Sequence, residues 1–323
     1  MSYNYLIYGL QISSSRRIQL LEEHKISGTD IEFIWTDAIE KTPYASASWQ
    51  RIETKELKNR KRIFYFYSEF PEGKIFNLTF NNRSSILSLI TSGDKRKVWI
   101  IYDKKELDSN LDSYFVGLVM GCILRLKGML CLHASAVNID GKAILFVGKK
   151  RSGKSTTAAA FSRLGYKVLA DDIAAIDEQP DGWYIQHGYP KVRLREQPLA
   201  LLHSADDKNF SPVYSNYDSW YSDIDHNFWE SALPLGAIYL LNQVNDSNSL
   251  PYVTSAEAGG LIGLHKNTFA NYLITPDLRK VEFEQLGRII SKIPVRNLFY
   301  GQDVQLVNLQ CQTVLDDLKK MII

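Results

Sequence analysis

An α/β domain preceded by a mostly β module is the fold class that this sequence predicts, and three observations predict it. An apolar run, "KAILFVG", leads into a glycine-framed loop, "GKKRSGKS", which opens a stretch of small, helix-compatible residues. Two further apolar runs, "YKVLA" and "IAAID", follow at once, giving the strand–helix–strand alternation of an α/β sheet. Up to about residue 110, by contrast, the chain reads as short aromatic or alternating runs separated by charged turns.

In the first module, "YNYLIYGLQI", "RIFYFYSEF", "KIFNLTF" and "KVWIIYD" are predicted strands. The polar connector "KKELDSNLDS", 104–113, ends in Asp112 and Ser113, either of which serves as N-cap for an apolar helix beginning at Tyr114. The module boundary is placed here, giving 1–112 as the β module, whose role is not legible, and 113–323 as the α/β domain. Beyond Gly128, "MLCLHASAVNIDGKAILFVG" reads as two strands turning at Asp140-Gly141, a pair that favours tight hairpins. A helix is predicted from Ser155 to Leu164, stopping near Gly165. "GAIYLLNQV" is a buried strand, "TSAE" at 254–257 has capping-box spacing ahead of a helix, and "VEFEQLGRIISKI" has helical periodicity. There is no internal repeat or low-complexity tract.

Composition excludes several classes. The 323 residues suffice for two domains and a sizeable core. A net charge of +2, from 38 basic and 36 acidic residues without a long basic run, argues against nucleic acid as the main partner. Cys122, Cys131 and Cys311 are odd in number and lack metal-ligand spacing, which fits buried thiols in a reducing compartment. The N-terminus has no signal-peptide pattern, and the most apolar run, "FVGLVMGCIL", is about half the length of a membrane span. A soluble, cytoplasmic protein without membrane partners is expected.

The chemistry-bearing residues cluster in one stretch. Gly148, Gly153, Lys154 and Ser155 satisfy G-x-x-x-x-G-K-[ST] between a strand and a helix, the context a phosphate-binding P-loop requires. Its glycines let backbone N–H groups turn around phosphate oxygens, the helix N-terminus adds partial positive charge, and Lys154 reaches the terminal phosphates. Ser155 is the expected magnesium ligand. Lys149, Lys150, Arg151, Ser152 and Thr156 complete the nucleotide-contacting set, the loop charges being either phosphate contacts or solvated.

Asp171 and Asp172 end the next strand. One carboxylate suffices for magnesium; a second in the same pocket is free to accept a proton from an attacking hydroxyl. The plainer alternative is that adjacent residues point to opposite faces and one aspartate caps a turn. His133, in "CLHASAV", hairpins into the P-loop strand; it is either a hydrogen-bonded core histidine or a residue that orients the base. His24, His187, His203, His226 and His265 show no metal-ligand spacing.

Taken together, "LHASAV", the hairpin, "GKKRSGKST" and "GYKVLADD" resemble the C-terminal catalytic domain of the HPr kinase/phosphorylase family. They look most like the HPr-kinase-related proteins of peptide-maturation systems, including kinases of the C-terminal serine of lasso-peptide precursors. The likeness covers roughly residues 114–323, with weaker echoes in "PLGAIYLL", "LIGLHKNTF" and "IPVRNLFY". It implies an α/β P-loop kinase domain, also similar to phosphoenolpyruvate carboxykinase, that uses ATP and Mg2+ to phosphorylate a serine. By position it makes Asp171 the general base, assisted by His133, with Lys154 stabilising charge and with Ser155 and Asp172 serving magnesium. The assignment within the aspartate pair stays open.

Two departures stand out. Arg151 and Ser152 occupy the part of the loop where the family carries a further glycine. The family's second signature, an acidic residue before an Arg-Gly turn, is absent; "HGYPKVRLRE" stands there, offering Lys191 and Arg193 as candidates for phosphoryl or acceptor contacts, or as solvated strand-edge charges. These departures put HPr as substrate and the reverse phosphorylase reaction in doubt and leave nucleotide binding untouched; reversibility is not legible in the sequence. The aromatic stretch "VYSNYDSWYSDIDHNFWE" is read either as a closing loop or as subdomain packing. The leading expectation is a kinase acting on a peptide or small-protein serine. A nucleotide-dependent regulatory module, a small-molecule kinase and a homo-oligomeric assembly remain as alternatives.

Overall fold

The computed structural model describes residues 2–56, 62–70, 73–82, 85–105, 108–196, 210–212, 219–257, 259–269 and 276–321. They form two compact units, Met1–Lys127 and Gly128–Ile323.

The first unit holds β1 (Tyr3–Ile7), β2 (Leu10–Ser14), β3 (Ile31–Thr36), β4 (Gln50–Glu56), β5 (Arg62–Phe70), β6 (Gly73–Asn82), β7 (Ser85–Thr91) and β8 (Lys97–Tyr102). They make one mixed eight-stranded sheet in the order β1-β2-β3-β8-β7-β6-β5-β4. "YNYLIYGLQI" is a hairpin of two strands, because Tyr8 and Gly9 take φ values of 53° and 73° and so turn the chain. Helical residues follow as α1 (Asp108–Tyr114), a π-helical turn Phe115–Val119 and α2 (Met120–Leu126). Phe115 packs edge-on against Phe33, 4.9 Å between centroids.

The helix therefore begins before Tyr114, and Asp112 is not its N-cap. Instead the Asp112 carboxylate is buried, pairing with Arg16 and accepting from Gln19 N at 3.0 Å. Because these long-range bonds tie the helix to the sheet's own unit, the chain divides after Lys127 rather than at the 112/113 boundary.

The second unit contains β9 (Leu130–Leu132), β10 (Ala134–Ile139), β11 (Lys142–Val147), β12 (Lys167–Ala170), β13 (Ala174–Gln179), β14 (Gly182–Ile185), β15 (Lys191–Leu194), β16 (Phe210–Pro212), β17 (Trp220–Asp223), β18 (Leu233–Gln243), β19 (Tyr252–Ser255) and β20 (Val295–Tyr300). Its helices are α3 (Lys154–Arg163), α4 (Gly259–Lys266), α5 (Pro276–Ile290) and α6 (Val307–Met321). Nine strands form the main sheet, in the path β12-β10-β11-β18-β14-β13-β9 with β20 beside β18 and β19 beside β20; β15, β17 and β16 form a small antiparallel sheet.

Strands β11, β18 and β20 run parallel. They are the apolar runs of the sequence, and their continuous hydrophobicity reflects burial on both faces. Ile144 and Phe146 of β11, with Tyr239 and Leu241 of β18, join α3 and α6 in one core. The alternate residues Ala143, Leu145, Val147, Ile238 and Leu240 join α4 and α5 in the other. The period-two rule thus assigns the two helical layers. Asp140 and Gly141 turn β10 into β11 with φ values of 52° and 76°, as the hairpin signal requires. Gly165, at φ 89°, ends α3 in the left-handed conformation. "TSAE" forms no capping box: Thr254 lies in β19, its backbone paired with β20. Among the described residues, no helix is long and apolar enough to cross a membrane.

Candidate active site

The carboxyl ends of the three parallel strands meet at one cavity of about 830 Å³, lined by the start of α3, Gln243 of β18 and Tyr300 of β20. Open α/β sheets place their crevices at such ends.

The loop from Gly148 to Gly153 has little freedom. A Cβ on Gly148 would stand 2.4 Å from Ser152 Oγ and 3.2 Å from Leu241 Cβ, so a larger residue fits only if its neighbours shift. Gly153 takes φ 77° and serves as N-cap of α3. Arg151 also takes a positive φ, 71°, a region that costs a side-chain-bearing residue about 1 kcal/mol. The arginine thus adopts a backbone that glycine takes without strain, and it keeps its exposed side chain on the cavity wall.

Lys154 is buried, its Nζ donating to Gly148 O at 2.9 Å and Lys149 O at 3.0 Å. Burial pushes its pKa down, opposed by the charges of Asp172 and Asp171. Lys150, Arg151, Ser152, Gly153, Ser155 and Thr156 line the cavity beside it. Lys149 contributes only its carbonyl, its side chain being exposed and off the wall.

The two aspartates sit just past β12 and diverge. Asp171 is 4% exposed; it accepts from Ser135 Oγ and from Arg193 N at 2.9 Å. Burial raises its pKa, with those hydrogen bonds opposing. Asp172 takes φ 71°, which turns its side chain to the cavity wall. Burial acts to raise its pKa too, but the His133 ring, Arg193 and Lys154 outweigh it and hold the carboxyl well below the usual range.

His133 lies on Asp172, not on Asp171. Its Nδ1 is 3.1 Å from Asp172 Oδ1 and 3.1 Å from Asp172 O, and Phe269 packs against the ring at 6.0 Å. The expected His133–Asp171 contact is absent because Ser135, two residues along β10, takes that place. Lys191 does not join the cavity: its ammonium pairs with Asp223 across β15 and β17. Arg193 does line it, with Arg195 and Glu196 following. In the aromatic stretch, 213–218 lie outside the described residues, while Tyr221 and Phe228 are buried as packing. His203 also lies outside; His187 is buried against Gly188 O.

Sequence reasoning missed Ser135, Arg195, Tyr300 and Gln310. Ser135 stands inside the quoted "LHASAV" and Tyr300 ends "IPVRNLFY". Arg195 and Gln310 carried no local signal.

No family model matches this chain. Curated relatives named HPr kinase/phosphorylase, from two strains of Clostridium kluyveri, are 27% identical over 155 residues, which is 46% of this chain. The chain spans about half the length of these relatives, 47%. A solved structure, the HPr(Ser) kinase/phosphatase of Coxiella burnetii, covers 59% of this chain and 97% of its own at 13% identity, with a TM-score of 0.32, a level that supports no argument. The similarity to HPr kinase/phosphorylase that the motifs imply is thus found in the curated relatives. The lasso-peptide relation is not among these findings.

Proposed function

We propose that this chain is an ATP-dependent P-loop kinase that phosphorylates a serine hydroxyl on a peptide or small protein. One observation carries the reading: a His133–Asp172 pair faces the same cavity as the glycine–lysine loop at the start of α3. The names of the curated relatives point the same way.

The residues fit a magnesium nucleotide. Gly148 leaves space that a Cβ could share only if its neighbours shifted, and the first N–H groups of α3 have no acceptor within the helix. The present partners of Lys154 are neutral carbonyls, which an anion can replace. The Ser155 hydroxyl, on the cavity wall, offers a hard oxygen of the kind magnesium takes. Bound Mg-ATP supplies the transferable phosphoryl group and, through the metal, charge neutralisation on its oxygens.

Lys154 and the loop N–H groups hold the phosphates. Ser155 would hold the metal from the cavity wall, and Ser135 and Arg193 N fix Asp171 behind it. Asp172 accepts the proton of the serine hydroxyl at Oδ2, the oxygen not paired with His133, and His133 holds the carboxylate in place. The Arg193 guanidinium steadies charge on the group in transit. This moves the base role that the resemblance implied for Asp171 to Asp172, on the ground that Asp171 is buried and already bonded while Asp172 faces the cavity.

Transfer of γ-labelled phosphate to peptides with and without a C-terminal serine tests the reading, the lasso-precursor type being the specific candidate. Label on serine is expected with the wild type. Asp172→Asn should abolish it while nucleotide binding persists. Nucleotide bound with no acceptor labelled, host-cell extract included, would replace the kinase with a regulatory module.

A further inference from the structure

The glycine loop is held from outside by two residues far along the chain. Tyr300, the last residue of β20, is buried and donates its hydroxyl to the carbonyl of Ser152; its ring edge also lies against Gly153. Gln310 of α6, also buried, donates to Thr157 Oγ1 at 2.8 Å, and that hydroxyl donates onward to Gly153 O at 2.9 Å. Gly153 O accepts from Thr157 N as well, at 2.8 Å.

A trans peptide points its N–H opposite to its C=O. Tying back Ser152 O therefore fixes the direction of the Gly153 N–H, and tying back Gly153 O fixes that of the Lys154 N–H. Both residues line the cavity. Burial pushes the Tyr300 hydroxyl well above its usual pKa, so it remains a donor at any working pH.

We infer that Tyr300 and Gln310 are positioning residues for phosphate binding, acting through the loop backbone that they hold from the cavity wall. The inference rests on the nucleotide reading above. It adds a second requirement to the site, because without these two bonds the loop loses the Tyr300 tie on Ser152 O and holds Gly153 O through Thr157 alone.

The probe is Mg-ADP, titrated calorimetrically into the full chain as wild type, Tyr300→Phe, Gln310→Met and Tyr239→Phe. The last variant is the control: Tyr239 is a buried tyrosine whose hydroxyl bonds Asp317, away from the loop. Loss of one such bond should weaken Mg-ADP about five- to tenfold in Tyr300→Phe and in Gln310→Met. Tyr239→Phe should lower the melting temperature yet change affinity less than about twofold. Unchanged affinity in Tyr300→Phe, or equal losses in Tyr300→Phe and Tyr239→Phe, would overturn the positioning role. A wild type that binds no Mg-ADP would instead remove the nucleotide reading beneath it.

Discussion

Gly148→Ala is the sharpest local perturbation that the site allows. Its new methyl would stand 2.4 Å from Ser152 Oγ, 3.2 Å from Ser152 Cβ and 3.2 Å from Leu241 Cβ. The Oγ contact is the severest but also the easiest to relieve, since that hydroxyl has no hydrogen-bond partner among the described residues and can rotate. The two Cβ contacts have no such freedom, because Ser152 and Leu241 are both buried. The loop must therefore shift by a few tenths of an ångström, which puts the cost in the lower part of the overpacking range, about 1–2 kcal/mol. If the shift falls on the phosphate-binding geometry, Mg-ADP affinity drops about five- to thirtyfold. Calorimetric titration of a graded series separates the contacts. Gly148→Ala with Ser152→Ala removes the Oγ contact alone and should recover part of the loss. Gly148→Ala with Ser152→Gly removes both Ser152 contacts and should recover most of it, with Ser152→Gly alone closing the cycle. An affinity within about twofold of wild type in Gly148→Ala, or double variants no better than the single, would refute the steric account.

Three further outcomes are expected. Asp317→Ala removes the acceptor shared by Arg296, at 3.1 and 2.7 Å, and Tyr239, at 2.9 Å; it should cost about 2–3 kcal/mol in urea unfolding, and a loss under about 0.5 would show that the network does not hold β18, β20 and α6 together. Burial pushes the Cys311 thiol up to about 12, above the ordinary value of about 8.5, so its contribution to stability is full below that ordinary value and falls as pH climbs toward 12. Cys311→Ala should therefore show a shallower alkaline loss of stability than wild type, and parallel curves would contradict the burial. Arg193→Ala should lower transfer about a hundredfold while Lys191→Ala, whose lysine is engaged by Asp223, stays near wild type; the reverse order would overturn the division drawn between them.

What was legible in the sequence was local. The β10–β11 hairpin follows from Asp140-Gly141, the loop from its glycine spacing and the end of α3 from Gly165, whereas the two helical layers on β11 and β18 emerge only from the packed sheet. Sequence reading also identified the aspartate pair and His133 but not which members touch, because that depends on the left-handed turn at Asp172 and on Ser135 reaching Asp171 first. The start of α1 was misread for a related reason. Asp112 has the chemistry of a cap, yet a partner far away in sequence, Arg16, claims its carboxylate. Thr254 likewise has capping chemistry, and strand pairing with β20 overrides it. Tyr300 and Gln310 bear on the loop only after the sheet and α6 have packed, so no local window around either one could reveal it.

The bond from Tyr300 to Ser152 also has a meaning in time. During synthesis the chain emerges in order, so the loop and both aspartates leave the ribosome well before β20 and α6. Strand β11 would meanwhile have its hairpin partner β10 but lack β20's support on the far side of β18. A nascent chain halted before Val295 would carry His133, the glycine loop and both aspartates and still lack the grip on the loop backbone. Under the nucleotide reading, the loop N–H groups would take their fixed direction only after β20 and α6 have docked.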